Sequence, residues 1–286
     1  MRDLDAICRR YLRPMEPIPT GVRAVLPDLA PCGAILFDVY GTLLISGAGE
    51  IGMMQTQPPG MGRLPELLKT YAIEHPAQKL QSMLRRAIEA EHRSQREKGV
   101  DFPEVDIVNI WQAISGIQDG SKAKALALAY ELITNPVFPM PGAGTLARLC
   151  SEQGIPMGII SNAQFYTPIV LAWFFGKELF DSAFDPRLRF FSWQEGCAKP
   201  SAILFNRAKA ALVSMGIPSE SVLYVGNDMR NDIRPAAEAG FRTVLFAGDR
   251  RSLRLRSEDE TCRDVSPDWI VTHIEQLAAA AGQSNR

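Results

Sequence analysis

The sequence predicts an α/β protein with a doubly wound, mostly parallel Rossmann-like sheet and a smaller all-helical domain inserted after the first strand. Three observations carry this prediction. Residues 34–37 form a short apolar run, typical of a strand that is buried on both faces. From Gly142 onward, short apolar segments alternate with helical patterns, as they do in a parallel sheet with crossover helices. Between these two parts, the apolar residues recur at helical spacing.

Bulk composition is that of an ordinary globular protein and excludes several classes. A formal net charge of −1 over 286 residues gives no basic field, so we expect no nucleic-acid partner. The five cysteines are dispersed without a C-x-x-C pair, which predicts neither a disulfide framework nor a zinc site. The N-terminus lacks a signal-peptide core, and the longest apolar run, 169–175, is far too short for a membrane span. We therefore expect a soluble cytoplasmic protein.

The first half of the chain divides at its prolines and glycines. Residues 1–33 contain a candidate helix at 4–12 and a proline-rich passage, which we expect to pack along the outside of the core. After the strand, a glycine- and proline-rich loop leads into the helical block. Helices are predicted around 80–98, at 105–114 and at 122–133, and prolines close the block. The predicted boundaries are 1–46 and 137–286 for the core and 47–136 for the inserted domain.

The second half alternates between the two element types. Glycines at the ends of several apolar periods indicate where helices stop. Helices are predicted at 145–153, 167–175, 201–215, 234–239 and 274–281. Strands are predicted at 156–161, 188–191, 222–225, 243–246 and 269–271.

Polar residues follow three of the predicted strands. The first strand delivers Asp38, the second ends in Ser161 and Asn162, and the third is followed by Asn227 and Asp228. Because the carboxyl ends of parallel strands lie along one edge of a sheet, residues far apart in sequence converge there. The sequence therefore predicts a polar site at this edge.

Two further features add charge to this site. Asp228 and Asp232 are four residues apart, so a helical turn places both carboxylates on one side, where Mg²⁺ would relieve their repulsion. The alternative is that they cap and begin the next helix. Lys199 stands in a glycine-to-proline loop before a helix, where it is either an inward-pointing cation or an ordinary surface lysine.

Taken together, these pieces resemble the haloacid dehalogenase-like hydrolase superfamily. The resemblance covers about 200 residues, from 34 to 246, and the helical block matches the superfamily's helical cap. The four motifs in order are Asp38-Val39-Tyr40-Gly41-Thr42, Ser161, Lys199-Pro200, and the pair Asp228 and Asp232.

The resemblance implies a role for each matching residue. Asp38 would be a nucleophile that forms an aspartyl-phosphate, which water then hydrolyses. Lys199 would offset the local negative charge and orient Asp38. Ser161 would hydrogen-bond a phosphoryl oxygen, and Thr42 would fix the loop. The candidate catalytic set is Asp38, Tyr40, Thr42, Ser161, Asn162 and Lys199, and the candidate Mg²⁺ ligands are Asp38, the backbone carbonyl of Tyr40, Asn227, Asp228 and Asp232.

Two departures leave the reaction open. Tyr40 stands where phosphatases of the superfamily carry a second Asp as general acid/base, and Asp-x-Tyr-Gly-Thr resembles the 2-haloacid dehalogenase branch, which needs no metal. Tyr40 also has a structural interpretation, as an aromatic side chain packed against the cap. Asn227 holds the place of the first acid in one register of the fourth motif.

The acids of the fourth motif decide the interpretation. Two unpaired carboxylates near Asp38 would be costly without a metal, which favours a Mg²⁺-dependent phosphatase acting on a small phosphorylated metabolite. The alternatives are a metal-free dehalogenase, for which Arg63 and Arg85 are available as substrate-binding cations, and a catalytically weak binding module.

Overall fold

A six-stranded parallel sheet organises the residues that the computed structural model describes, 2–26, 31–48 and 60–281. The strands of the described residues are β1 (Ala34–Phe37), β2 (Leu44–Ser46), β3 (Val137–Pro139), β4 (Met157–Ser161), β5 (Phe184–Phe191), β6 (Val222–Gly226), β7 (Arg242–Phe246) and β8 (Trp269–Val271). The large sheet has the order β5-β4-β1-β6-β7-β8, so the chain winds outward in both directions from β1. This confirms the predicted fold class and places a topological switch point beside β1.

The burial of β1 explains its unbroken apolar sequence. Ile35 and Phe37 pack into one hydrophobic cluster, whereas Ala34 and Leu36 pack into another on the opposite face. Successive side chains of a strand point to opposite faces, so both faces of the sheet are covered by apolar side chains. The strand therefore runs through the centre of the core and ends directly at Asp38.

Helices cover the sheet and build the inserted block. They are α1 (Arg2–Tyr11), α2 (Leu64–Thr70), α3 (Ala77–Glu97), α4 (Ile107–Ser115), α5 (Gly120–Thr134), α6 (Ala143–Gln153), α7 (Thr167–Phe175), α8 (Lys177–Ala183), α9 (Ser192–Glu195), α10 (Ala202–Ser214), α11 (Arg234–Glu238) and α12 (Ala278–Ala281). Short 3-10 turns at Met61–Arg63, Ser219–Ser221, Glu260–Cys262 and Ile274–Leu277 and a π-helical turn at Met229–Ile233 join them. Most predicted helices are present with shifted ends. The sequence prediction missed α8 and underestimated the length of β5.

Helices α2–α5 form a helical insertion, residues 60–136, between β2 and β3. Those two strands pair antiparallel, a ribbon that the sequence did not predict. Asn135 joins the chain before the helical insertion to the chain after it, because its Oδ1 accepts hydrogen bonds from Ser46 Oγ at 2.8 Å and from Ala48 N at 3.0 Å. Most of the predicted loop between 46 and 60 lies outside the described residues. The domain boundaries therefore stay a prediction.

The helical insertion also contacts the sheet domain away from this ribbon. Ala198 N donates to Phe102 O at 2.6 Å, and Glu104 N donates to Gly196 O at 3.1 Å. Helix α1 packs against α5 of the insertion and against α7, so it covers both parts of the molecule rather than the core alone. In the described part of the chain, every helix is too short or too polar to cross a membrane.

Candidate active site

The carboxyl ends of β1, β4 and β6 meet at one small cleft. Asp38 follows β1, Ser161 closes β4, and Asn227 follows β6. The cleft has a volume of about 60 Å³, and every residue of its lining has a polar side chain. The lining residues are Asp38, Tyr40, Asn162, Lys199, Asn227, Asp228, Asn231, Asp232, Ser252 and Arg254. The structure thus brings the sequence-predicted polar strand ends together.

The Asp38 side chain is buried at the cleft, and hydrogen bonds hold one of its two carboxylate oxygens. Its Oδ1 accepts hydrogen bonds from Lys199 Nζ at 2.6 Å and from Ser161 Oγ at 3.0 Å. Its Oδ2 accepts no hydrogen bond from the described residues. The carboxylate is therefore fixed in orientation while one oxygen stays available to a ligand.

Lys199 joins two carboxylates. Besides Asp38, its Nζ donates to Asp232 Oδ1 at 2.5 Å and to the Tyr224 hydroxyl at 3.2 Å. Burial acts to lower the pKa of Lys199, but the negative charges of Asp232 and Asp38 outweigh it and raise that pKa. The lysine thus stays cationic. The interpretation as an ordinary surface lysine is wrong, because the side chain is only 3% exposed.

Amide side chains hold the loops around these charges. Asn162 Oδ1 accepts from Lys199 N at 2.6 Å, and its Nδ2 donates to Lys199 O at 3.2 Å. Thr42 Oγ1 donates to Asn227 Oδ1 at 3.1 Å, and Asn227 Nδ2 donates to Ser252 O at 2.6 Å. Thr42 thus ties the loop after Asp38 to the segment after β6, and Asn162 fixes the backbone that carries the lysine.

Asp232 is buried and fully hydrogen-bonded. Besides Lys199, its carboxylate accepts from the Tyr224 hydroxyl at 2.9 Å and from the backbone N of Asn227 and Asp228 at 3.1 and 3.0 Å. Burial raises the pKa of Asp232 to about 6, against the opposing effect of Lys199. At neutral pH this carboxylate is therefore ionised and paired with the lysine.

Asp228 has a different cation. Its carboxylate caps the turn that follows, because Oδ1 accepts from the backbone N of Arg230 at 2.9 Å and of Asn231 at 3.2 Å. Arg256 binds it with two nitrogens, Nε to Oδ1 at 3.1 Å and a terminal nitrogen to Oδ2 at 2.6 Å. The capping interpretation of Asp228 is therefore confirmed. The two acids do need cations, and Lys199 and Arg256 supply them.

This pairing bears on the predicted Mg²⁺ ligands. The described residues contain no group of three or more His, Cys, Asp or Glu side chains arranged to hold a metal. The carboxylates of Asp228 and Asp232 do not fit a ligand set as they stand, because hydrogen bonds from cations and backbone N–H groups already occupy them. Asp38 Oδ2 and the backbone carbonyl of Tyr40, which accept no hydrogen bond from the described residues, do fit a Mg²⁺ that takes its other ligands from water and substrate.

Tyr40 lines the cleft, but its hydroxyl group is turned elsewhere. The hydroxyl shares a 2.8 Å hydrogen bond with Thr167 Oγ1 at the start of α7. Burial raises the pKa of Tyr40 well above its usual range, and the nearby Glu131 of α5 raises it further. The phenol is therefore neutral and engaged away from Asp38, in line with the structural interpretation of this residue.

Sequence reasoning missed the segment after β7. Ser252 and Arg254 line the cleft, and Arg256 binds Asp228. The available signal was a run of arginines just beyond the carboxyl end of a predicted strand. Of the two arginines considered from the sequence, Arg63 lies over the Tyr11 ring at 4.9 Å, and neither it nor Arg85 lines the cleft.

Comparisons with known proteins agree with this architecture. The fold resembles that of the HAD hydrolase YfnB from Bacillus subtilis, solved with bound magnesium, at 17% identity over 88% of this chain and 99% of that one (TM-score 0.50). It also resembles the 2-haloacid dehalogenase from Pseudomonas syringae pv. tomato DC3000 at 17% identity, covering 88% and 98% (TM-score 0.52). The L-2-haloacid dehalogenase from Xanthobacter autotrophicus matches at 16% identity, covering 89% and 100% (TM-score 0.51).

At these identities the likeness shows the fold and not the reaction. No curated protein matches the chain. The family model described as haloacid dehalogenase-like hydrolase matches residues 32–240, which is well over half of the sequence and contains Asp38, Ser161, Lys199 and Asp232. The chain belongs to the haloacid dehalogenase-like hydrolase family.

Proposed function

We propose that this hydrolase is a phosphatase of small phosphorylated metabolites and that Asp38 is its nucleophile. The observation that supports this most directly is the state of the Asp38 carboxylate. Lys199 and Ser161 hold Oδ1, while Oδ2 accepts no hydrogen bond from the described residues and lies at a polar cleft. Oδ2 would form the bond to phosphorus while the bond to the leaving oxygen breaks, and water would then hydrolyse the aspartyl-phosphate.

The polar side chains of the cleft lining suit a phosphoryl group. Every lining residue carries a polar side chain, including Lys199, Arg254 and the amides of Asn162 and Asn231. Such groups meet the oxygen atoms of a phosphoryl group.

Mg²⁺ belongs to this proposal. Asp38 and the backbone carbonyl of Tyr40 would hold it, and when bound it neutralises phosphoryl oxygens so that an anionic nucleophile can approach. The helical insertion would act as the cap over the cleft. All five cysteines are free thiols, which suits the reducing cytoplasm that we propose as its location.

Tyr40 limits which phosphates would react quickly. Its neutral hydroxyl is bonded to Thr167, and the carboxylates of Asp228 and Asp232 are occupied, so none of these groups is placed to protonate a leaving oxygen. General acid catalysis is worth roughly 10²–10⁴ in rate. We therefore expect faster hydrolysis of phosphates whose leaving group is stable as an anion, such as aryl or acyl phosphates.

The second candidate is a 2-haloacid dehalogenase. The specific observation in its favour is the pairing of Asp228 with Arg256 and of Asp232 with Lys199, which removes the need for a metal to balance these charges. A halide also leaves without a proton, so this reaction does not require an acid at position 40.

The test is hydrolysis of p-nitrophenyl phosphate with Mg²⁺, compared with chloride release from 2-chloropropionate in the presence of a chelator. Phosphatase activity that falls by ~10³-fold or more in Asp38→Asn, but not in the exposed control Asp264→Asn, supports the proposal. Chloride release without phosphatase activity establishes the second candidate. A Tyr40→Asp variant is expected to narrow the difference between aryl and alkyl phosphates, since it restores a carboxyl group two residues after Asp38.

A further inference from the structure

We propose that the segment 249–256, here called the arginine loop, provides the anion-binding subsite of the cleft through Ser252 and Arg254. These two side chains would bind oxygen atoms of the group that Asp38 attacks, so they would determine which anions the enzyme accepts. The inference rests on the proposed function for its substrate, a phosphoryl group, but its geometry does not depend on the reaction.

The arginine loop is built into the edge of the sheet. Arg254 N donates to Asn227 O at 2.9 Å, and Met229 N donates to Arg254 O at 3.0 Å, so the loop pairs with the segment after β6 like a short parallel strand. The Asp249 carboxylate accepts from Arg251 N at 3.0 Å at the other end of the loop. Its side chains are therefore presented to the cleft by a fixed backbone.

The hydroxyl group of Ser252 indicates that a ligand binds in the cleft. The residue is fully buried and lines the cleft, and its Oγ has no hydrogen-bond partner among the described residues. Its neighbour is Gly41, which has φ +89° and where a Cβ would collide with Ser252. The hydroxyl thus lies against the loop that carries Asp38. A buried hydroxyl without a partner is costly, and an oxygen atom of a bound anion would satisfy it.

Arg254 adds the charge. The residue lines the same cleft, and one of its terminal nitrogens donates to the carbonyls of Arg251 at 2.9 Å and of Leu253 at 3.0 Å. A planar guanidinium binds phosphate or carboxylate through two parallel hydrogen bonds. Arg254 lies in the cleft lining beside the unpartnered hydroxyl of Ser252, and we assign its charge to the substrate.

The test is the binding of inorganic phosphate to full-length Asp38→Asn protein by calorimetry, which requires no turnover. In that background, Arg254→Gln is expected to raise the dissociation constant roughly tenfold or more, because a hydrogen-bonded charge is lost. Arg250→Gln is the matched control, since Arg250 is in the same loop but exposed and outside the cleft lining. Arg254→Lys should lie between the two, because it keeps the charge and loses the paired donors.

The Ser252→Ala variant distinguishes a role of this hydroxyl in phosphate binding from a role in the stability of the fold. We expect several-fold weaker phosphate binding with no fall in Tm, because the hydroxyl has no partner in the protein to lose. A lower Tm with unchanged binding would make Ser252 a purely structural residue and overturn its part of the subsite.

The same titration with 2-chloropropionate distinguishes failure of the subsite from failure of the proposed function. Arg254-dependent binding of the carboxylate without binding of phosphate would support the subsite and argue against a phosphatase. Binding of both anions that is unaffected by Arg254→Gln would overturn the subsite, and so would the absence of binding of both anions to the Asp38→Asn parent.

Discussion

Two clusters built around carboxyl side chains lie near Tyr40, and they differ in the groups that surround the carboxyl oxygens. The core cluster consists of Asp38, Asp228 and Asp232 with the cations Lys199 and Arg256. The seam cluster lies between the sheet domain and α5 and consists of Glu131, Tyr166, Tyr40, Thr167 and Asn135. It holds its carboxyl group with hydroxyl and amide groups alone.

The difference appears in the charge that each cluster carries. Glu131 Oε1 accepts from Asn135 Nδ2 at 3.0 Å and its Oε2 accepts from the Tyr166 hydroxyl at 3.0 Å, yet burial raises the pKa of Glu131, and no cation among the described residues pairs with it. Asp232 is more deeply buried, but Lys199 opposes the rise in its pKa. Burial alone therefore does not decide ionisation, and only the core cluster is built to keep charge at neutral pH.

The largest effect is expected for Lys199→Met, which would leave Asp38 and Asp232 buried without their cation. We expect a loss of about 3–5 kcal/mol in the free energy of unfolding at pH 8, and loss of turnover. Burial already raises the pKa of Asp232, and removing its cation raises that pKa further, so the deficit should shrink as the pH falls toward 5 and this carboxyl becomes protonated. Urea unfolding at the two pH values measures this, with the exposed Lys209→Met as control. A deficit that is the same at both values would contradict the ionic explanation.

Arg256→Gln tests the second cation of the core cluster. The Arg256–Asp228 pair is short, at 2.6 Å, and largely buried on the carboxylate side. Losing a charged hydrogen-bonded pair of this kind should cost about 1.5–3 kcal/mol in unfolding free energy. The matched control is Arg263→Gln, whose pair with Glu260 is 3.3 Å long and highly exposed. Exposed pairs contribute about 1 kcal/mol or less, so equal effects of the two variants would argue against a special role for Arg256.

Tyr40→Phe removes the hydroxyl that belongs to the seam cluster and leaves the ring at the cleft. The lost hydrogen bond to Thr167 should cost about 1 kcal/mol in stability. Turnover should change by less than ~3-fold, since a hydroxyl acting as the proton donor would be worth 10²–10⁴. Steady-state kinetics on aryl phosphates distinguishes a structural hydroxyl from a proton donor. A fall in turnover of a hundredfold or more would mean that the hydroxyl takes part in the reaction.

Glu131→Gln should have the smallest effect and the most informative pH dependence. A carboxyl with a raised pKa stabilises the fold below its unfolded pKa and loses that contribution as the pH rises through its folded pKa. Gln cannot ionise, so the stability of the variant relative to the unmodified protein should increase between pH 5 and pH 8. Exposed Glu152→Gln on α6 should show no such trend. A flat difference for Glu131→Gln would mean that the carboxyl keeps an ordinary pKa.

The sequence was sufficient for the positions of the site residues but not for their partners. Asp38, Ser161 and Asn227 could be placed together because the edge of a parallel sheet follows from the order of strands and helices. The pairing of Asp228 with Arg256 could not be predicted, since the residues are 28 positions apart and no periodicity links them. The assignment of a metal to the fourth motif relied on unpaired acids, and that premise was wrong.

Short elements were missed for a similar reason. The ribbon of β2 and β3 has three residues in each strand, and its second strand ends in Pro139, a residue that the sequence analysis used to mark the end of the helical block. The side chain of Tyr40 was likewise only partly predictable from the sequence. Its position was evident from the motif, whereas the direction of its hydroxyl depends on Thr167, which lies 127 residues away.

The contact between the helical insertion and the residues just before Lys199 has a mechanical consequence. Phe102 and Glu104 hold this stretch by backbone hydrogen bonds to Ala198 and Gly196, the first of them one residue away from Lys199. A movement of the helical insertion that widens this side of the cleft must break those bonds and pull on the backbone that carries the counter-ion of Asp38. The entry of a molecule into the cleft is thus coupled to the position of Lys199, and through it to the Asp38 carboxylate.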